Sequence, residues 1–171
     1  MKSTHRGSSP SALRASAIAA LVLISATAAN CALAQDFALK DYRLGAPMER
    51  CPESATKVVP DGPSTTCILG PTTLANQLAT EHLVTIYESK ISAVTYRLAS
   101  KGASANSDLL ATLKEKFGEP DFSKPHLNEY IWGRDTKRMI FDGWKGYVLL
   151  VDRTASDEAR KKKAISNKSD L

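Results

Sequence analysis

The sequence is poor in the residues that most small-protein chemistries require. Its 171 residues include three cysteines, three histidines and only 6% aromatics. Three cysteines exclude a disulfide-dense miniprotein, and the absence of any C-x-x-C excludes the common redox and zinc-ribbon motifs. There is no G-x-S-x-G elbow for a serine nucleophile and no glycine-rich loop placed between a strand and a helix to cradle phosphate. What is present is ordinary: 24% charged and 43% hydrophobic residues, the proportions of a folded domain and unlike those of a disordered or collagen-like chain.

The first 34 residues read as an export leader. Lys2, Arg6 and Arg14 form a positive segment without an acid, and residues 15–29 are Ala, Leu, Val, Ile and small polar residues. That run is too short and Ala-rich to span a bilayer comfortably. Ala32-Leu33-Ala34 then supplies a small-x-small cleavage site, leaving Gln35 as the mature N-terminus in the periplasm or outside the cell. Lipidation of Cys31 is the alternative, although Asn30 stands where a lipid-attachment site favours a small residue. Cleavage removes three bases and no acid, so the remainder carries 20 bases against 18 acids, and residues 36–151 carry 14 of each. A neutral body lacks the clustered cations that nucleic acid requires. The expected organisation is a leader over 1–34, one domain over 35–152 with no transmembrane segment, and a basic, frayed or disordered tail over 153–171.

Export leaves Cys51 and Cys67 in an oxidising compartment, where they are expected to form a structural disulfide. The segment between them contains Pro52, Pro60, Gly62 and Pro63 and reads as an irregular loop that the cross-link orders. A short strand is expected within residues 37–44. Residues 72–79 stay open between helix and strand, because Leu74 and Leu78 fit a helical turn while Thr72 and Thr73 favour a strand. Alternating apolar residues over 81–99, interrupted by Glu88-Ser89-Lys90, predict a β-hairpin. Asn106 or Ser107 caps a helix whose Leu109, Leu110, Leu113 and Phe117 form one apolar stripe, and Gly118 and Pro120 end it. Three short runs at 130–132, 138–141 and 147–151 predict an antiparallel meander. The sum is a two-layer α+β fold: an antiparallel sheet, made of a hairpin and a three-stranded meander, with one main helix packed across it.

Reactive constellations are thin. Ser64-Thr65-Thr66 lies beside the expected disulfide and suits turn chemistry. His82 and His126 each lack a placed nucleophile, though a small envelope hydrolase would have to use one of them as base. Glu115 and Glu119 share a helix turn with Lys114 and Lys116, as a solvated face does. No cofactor or metal set is evident. The aromatic cluster is the strongest local signal. Tyr130, Trp132, Trp144 and Tyr147 lie close together, and Trp144 and Lys145 sit in a turn between Gly143 and Gly146. These residues, Trp144, Lys145, Tyr147, Tyr130 and Trp132, are the expected binding surface.

The leader, Tyr42-Arg43-Leu44-Gly45, the Cys51 and Cys67 pair, the Glu88-Ser89-Lys90 hairpin, the helix ending Phe117-Gly118-Glu119-Pro120 and Tyr130-Ile131-Trp132-Gly133 together resemble small uncharacterised periplasmic proteins of proteobacteria. The two-layer shape is also similar to the β-lactamase-inhibitor-protein and outer-membrane-assembly lipoprotein group. That resemblance implies binding to other proteins through a sheet. The sequence departs from the group in having no clear lipid-attachment motif and no pair of helices before the sheet, so no interface residue carries over. The expected function is therefore that of an exported, non-enzymatic and monomeric binding module, an inhibitor or envelope accessory protein, whose partner is a protein or an envelope component. A structural or stress-related envelope protein without a defined ligand is the remaining alternative.

Overall fold

The computed structural model describes residues 37–169; the leader, Cys31 and Gln35 lie outside the described residues. The fold is α+β. A small hairpin, β1 (Ala38–Leu39) and β2 (Tyr42–Arg43), precedes β3 (Ala55–Asp61), β4 (Ser64–Leu69), β5 (Thr72–Leu74), β6 (Gln77–Tyr87) and β7 (Lys90–Leu98). Helix α1 (Ser107–Phe117) follows, then β8 (Phe122–Lys124), β9 (Glu129–Trp132), β10 (Lys137–Asp142), β11 (Tyr147–Asp152) and helix α2 (Arg153–Ser169). The main sheet has the order β3-β4-β6-β7-β11-β10-β9-β8, with β5 paired to the start of β6. All of its pairings are antiparallel.

Strand alternation sorts the sheet into two faces. On the inner face, Cys67, Val84, Val94, Leu150, Met139 and Trp132 stand in register across six strands, and every one is fully buried. Removing each of these large side chains from water contributes about 1.5–3 kcal/mol. Leu109 and Leu113 of α1 enter the same core, where the rings of Phe37 and Phe117 lie 5.9 Å apart. The helix ends as its sequence dictates: Gly118 takes φ +80°, and its N–H donates to the Lys114 carbonyl at 2.8 Å.

Two expectations change. The segment between Cys51 and Cys67 is not an irregular loop, because β3 and β4 form a hairpin there around Asp61, Gly62 and Pro63, in which Asp61 pairs with Ser64. Pro60 is tolerated because β3 is the edge of the sheet, where its missing N–H breaks no ladder. The disulfide is in place, with sulfurs 2.10 Å apart and Cys67 buried on the inner face. Residues 72–79 resolve as strand, with the β5–β6 turn at Ala75 and Asn76.

Where a frayed or disordered tail is expected, the chain forms α2 on the outer face. The carboxylate of Asp152 accepts the Ala155 N–H at 3.2 Å. Ala155, Ser156 and Ala159 are the half-buried side of the helix, and small residues let it lie close to the Thr66, Thr85 and Ala93 row. Its far end is tied by Lys162 to Glu88 in the β6–β7 turn and by Lys163 to Asp61 beside the β3–β4 turn. Both turns sit at the same end of the strands, so α2 crosses them from β11 toward the edge.

Candidate functional site

The β10–β11 turn is fastened from below by buried polar groups. Asp142, buried at the end of β10, accepts the Lys145 N–H through Oδ1 at 2.8 Å and pairs through Oδ2 with Lys145 Nζ at 3.1 Å. The Gly146 N–H donates to the Asp142 carbonyl, and the Leu98 N–H donates to the Gly146 carbonyl, both at 2.8 Å. On the other side, the Gly143 N–H donates to the carbonyl of buried Asn128, whose side-chain amide donates to the carbonyls of Gly102 and Ala105. Three loops are thereby joined, and Trp144 projects from the junction with 55% of its surface exposed. Burying polar groups costs stability unless they are paired; here they are paired so as to fix a turn.

Beside this turn the outer face opens into a concavity of about 640 Å³. Thr95, Arg97, Tyr147 and Leu149 are among its lining residues, as are Lys101 and Lys145. Among the described residues three cations line it and no carboxylate does. Arg97 is held by Glu81 at 3.2 Å, whereas Lys101 makes no ion pair among the described residues. The carboxylate of Asp142 raises the pKa of Lys145, while burial, followed by the Asp142 charge, raises that of the Tyr147 phenol. At neutral pH the groove therefore offers cations, a phenol donor and an apolar side chain at Leu149. Such a set is complementary in chemistry to groups that are anionic on one side and apolar on the other.

No protein-family model matches the chain, and no curated protein or solved structure matches it either.

Of the five residues expected to form one binding surface, the structure gathers three. Trp144 and Lys145 stand on the exposed turn, and Tyr147 enters the groove. Trp132 and Tyr130 do not join them. Trp132 is 0% exposed and donates through Nε1 to the Gly118 carbonyl at 2.8 Å. Tyr130 packs against Phe141 under Lys114, on the inner face. The cause is register: Tyr130 pairs with Phe141 and Phe141 with Val148, so alternation sends Tyr147 to the opposite side. Arg97, Lys101 and Leu149 were missed. Arg97 was detectable as a cation between the apolar Tyr96 and Leu98, but its neighbour across the sheet was not.

The remaining candidates have structural surroundings. His82 donates through Nδ1 to the Gly70 carbonyl at 3.0 Å, and it stacks on Tyr96 with ring centroids 5.6 Å apart. Among the described residues the one hydrogen bond of its side chain is that to Gly70. His126 is exposed in a single 3₁₀ turn. The Thr66 hydroxyl meets that of Thr85 at 3.2 Å, and Glu119 pairs with Lys114 at 2.8 Å on the surface. The described residues contain no group of three or more side chains able to hold a metal ion, and none of their helices is long and apolar enough to cross a membrane.

Proposed function

We propose that this chain is exported by its leader and acts as a non-enzymatic binding module, an inhibitor or envelope accessory protein. Its working surface is the outer sheet face together with the Trp144 turn. One observation carries the reading: a half-exposed tryptophan stands on a turn fixed by buried Asp142 and Asn128, next to a cationic groove. Preorganising the contact groups in this way lowers the ordering cost of association. The disulfide is compatible with an oxidising compartment and stiffens the far edge of the same sheet.

The test is site-specific photo-crosslinking in the native host, with a benzophenone side chain placed at Trp144 and, as control, at exposed Glu115 on α1. A discrete adduct from position 144 and none from position 115 is the expected result. Identical adduct patterns at the two positions, or no adduct at 144, would overturn the proposal.

A further inference from the structure

A single row of side chains crosses the outer face in register: Leu83, Thr95, Leu149, Ile140, Ile131 and Phe122. Apart from Thr95 the row is apolar. It lies one step, about 7 Å along the strands, from the Thr66, Thr85 and Ala93 row on which α2 rests. Leu149, Ile140 and Ile131 remain partly exposed, and Phe122 at the edge is 47% exposed. From Leu149 to Phe122 the row spans four neighbouring strands, roughly 15 Å, the length of about ten helical residues. On the opposite flank from α2 stand Arg97, Lys101 and Lys145 and, at the β8 end, Lys124, with Asp142 and Glu129 between them paired to Lys145 and Lys124, so that Lys101 is the cation of this flank without an ion pair among the described residues.

We infer that this lane, parallel to α2, docks an amphipathic acidic segment of a partner protein. Its apolar side rests on the row from Leu149 to Phe122, and its carboxylates meet Arg97, Lys101 and Lys145. The inference rests on the outer face being the working surface. Charge decides among occupants. A second copy of this chain has no surplus of carboxylates to offer, since residues 36–151 hold equal numbers of acids and bases. A polyanion without apolar groups would satisfy the cations and leave the row uncovered. An acidic amphipathic segment satisfies both, in the manner of a helix laid into a groove.

Three probes of about 20 residues, long enough to form helix, separate the possibilities by fluorescence anisotropy with the full, folded protein. The first has a leucine stripe flanked by glutamates, the second has the same stripe flanked by lysines, and the third is polyglutamate. The first is expected to bind at least tenfold more tightly than either of the others. Lys101→Glu or Phe122→Ser should weaken it about tenfold, while Lys161→Glu on exposed α2 should not. Equal binding of the lysine-flanked probe would overturn the acidic assignment, and equal binding of polyglutamate would overturn the use of the apolar row. Failure of all three probes while the Trp144 crosslink persists would refute the acidic partner and leave the binding-module reading standing. Circular dichroism of each variant confirms that the fold is retained.

Discussion

Asn128 and Gly143 are pressed backbone to backbone. The Gly143 N–H donates to the Asn128 carbonyl at 2.8 Å, and a β-carbon at position 143 would fall on the Asn128 carboxamide. That carboxamide also holds Gly102 and Ala105, so a methyl group at 143 forces apart the junction on which Trp144 stands. Gly143→Ala and Asn128→Ala are each expected to lower stability by about 1–3 kcal/mol, the cost of unpaired buried polar groups. Trp144→Ala is expected to stay within about 0.5 kcal/mol of the parent, as exposed substitutions do. Urea unfolding followed by circular dichroism measures all three, and a Gly143→Ala protein as stable as the parent would show that the junction yields freely.

The disulfide closes a loop with a sequence separation of 16 between Cys51 and Cys67. Constraining a loop of that size in the unfolded chain is worth about 3 kcal/mol. Replacing Cys51 by Ser and Cys67 by Ala together should cost about 2–4 kcal/mol. The loss should be matched by adding reductant to the parent and absent when reductant is added to the double variant. Unfolding midpoints with and without reductant provide the comparison.

Acid should weaken the fold through Asp121. Its carboxylate accepts the Gly133 N–H at 2.8 Å and Arg134 Nε at 2.7 Å, and these contacts, the Gly133 N–H foremost, hold its pKa below the ordinary value. Glu88 is lowered likewise, chiefly by its hydrogen bond from Lys162. A group whose pKa is lower in the folded state adds stability that is complete above the unfolded value, near pH 4, and is lost as pH falls through the folded one. Between about pH 5 and pH 2 the urea midpoint should therefore fall, and Asp121→Asn should flatten part of that fall. An unchanged acid limb in the variant would remove Asp121 from the account.

Ser89 occupies the second position of the two-residue β6–β7 turn with φ +57°, and Glu88 before it has φ +48°. Such a turn demands left-handed backbone at both positions, which strains any residue with a β-carbon. Ser89 is exposed, and its carbonyl, which accepts the Met48 N–H, is unaffected by its side chain. Ser89→Gly should therefore raise stability by roughly 0.5–1 kcal/mol. Thermal unfolding tests it, and a lowered melting temperature would mean that glycine's entropy in the unfolded chain outweighs the relief.

The same turn shows how much of the fold was legible. Alternation over residues 81–99 revealed the hairpin even though its turn lacks an Asn-Gly signal, because two long apolar runs outweigh a poor turn. Residues 72–79 were ambiguous because β5 is only three residues long and its turn puts Ala75, a residue without turn character, at φ +46°. The β3–β4 hairpin was hidden by Pro60, which reads as a strand breaker unless the strand is known to be an edge. Helix α1 was evident from Leu109, Leu113 and Gly118. Helix α2 looked too polar to dock, and it docks because the row beneath it is Thr66, Thr85 and Ala93, which accepts small side chains. The proposed binding surface was half visible. Trp144 and Lys145 were local signals, whereas the inward turn of Trp132 and the meeting of Arg97 with Tyr147 depend on strand register, which couples residues 50 positions apart.

Because Cys51 precedes β3 and Cys67 lies in β4, the cross-link encircles the entire edge strand and the turn that follows it. A protease cutting at Asp61-Gly62 would sever the backbone without releasing a fragment. The nicked molecule would keep β3 tethered beside β4 and would separate into two pieces in a denaturing gel only after reduction. Under the proposed export, one covalent hoop around this border is a means of outlasting a cut.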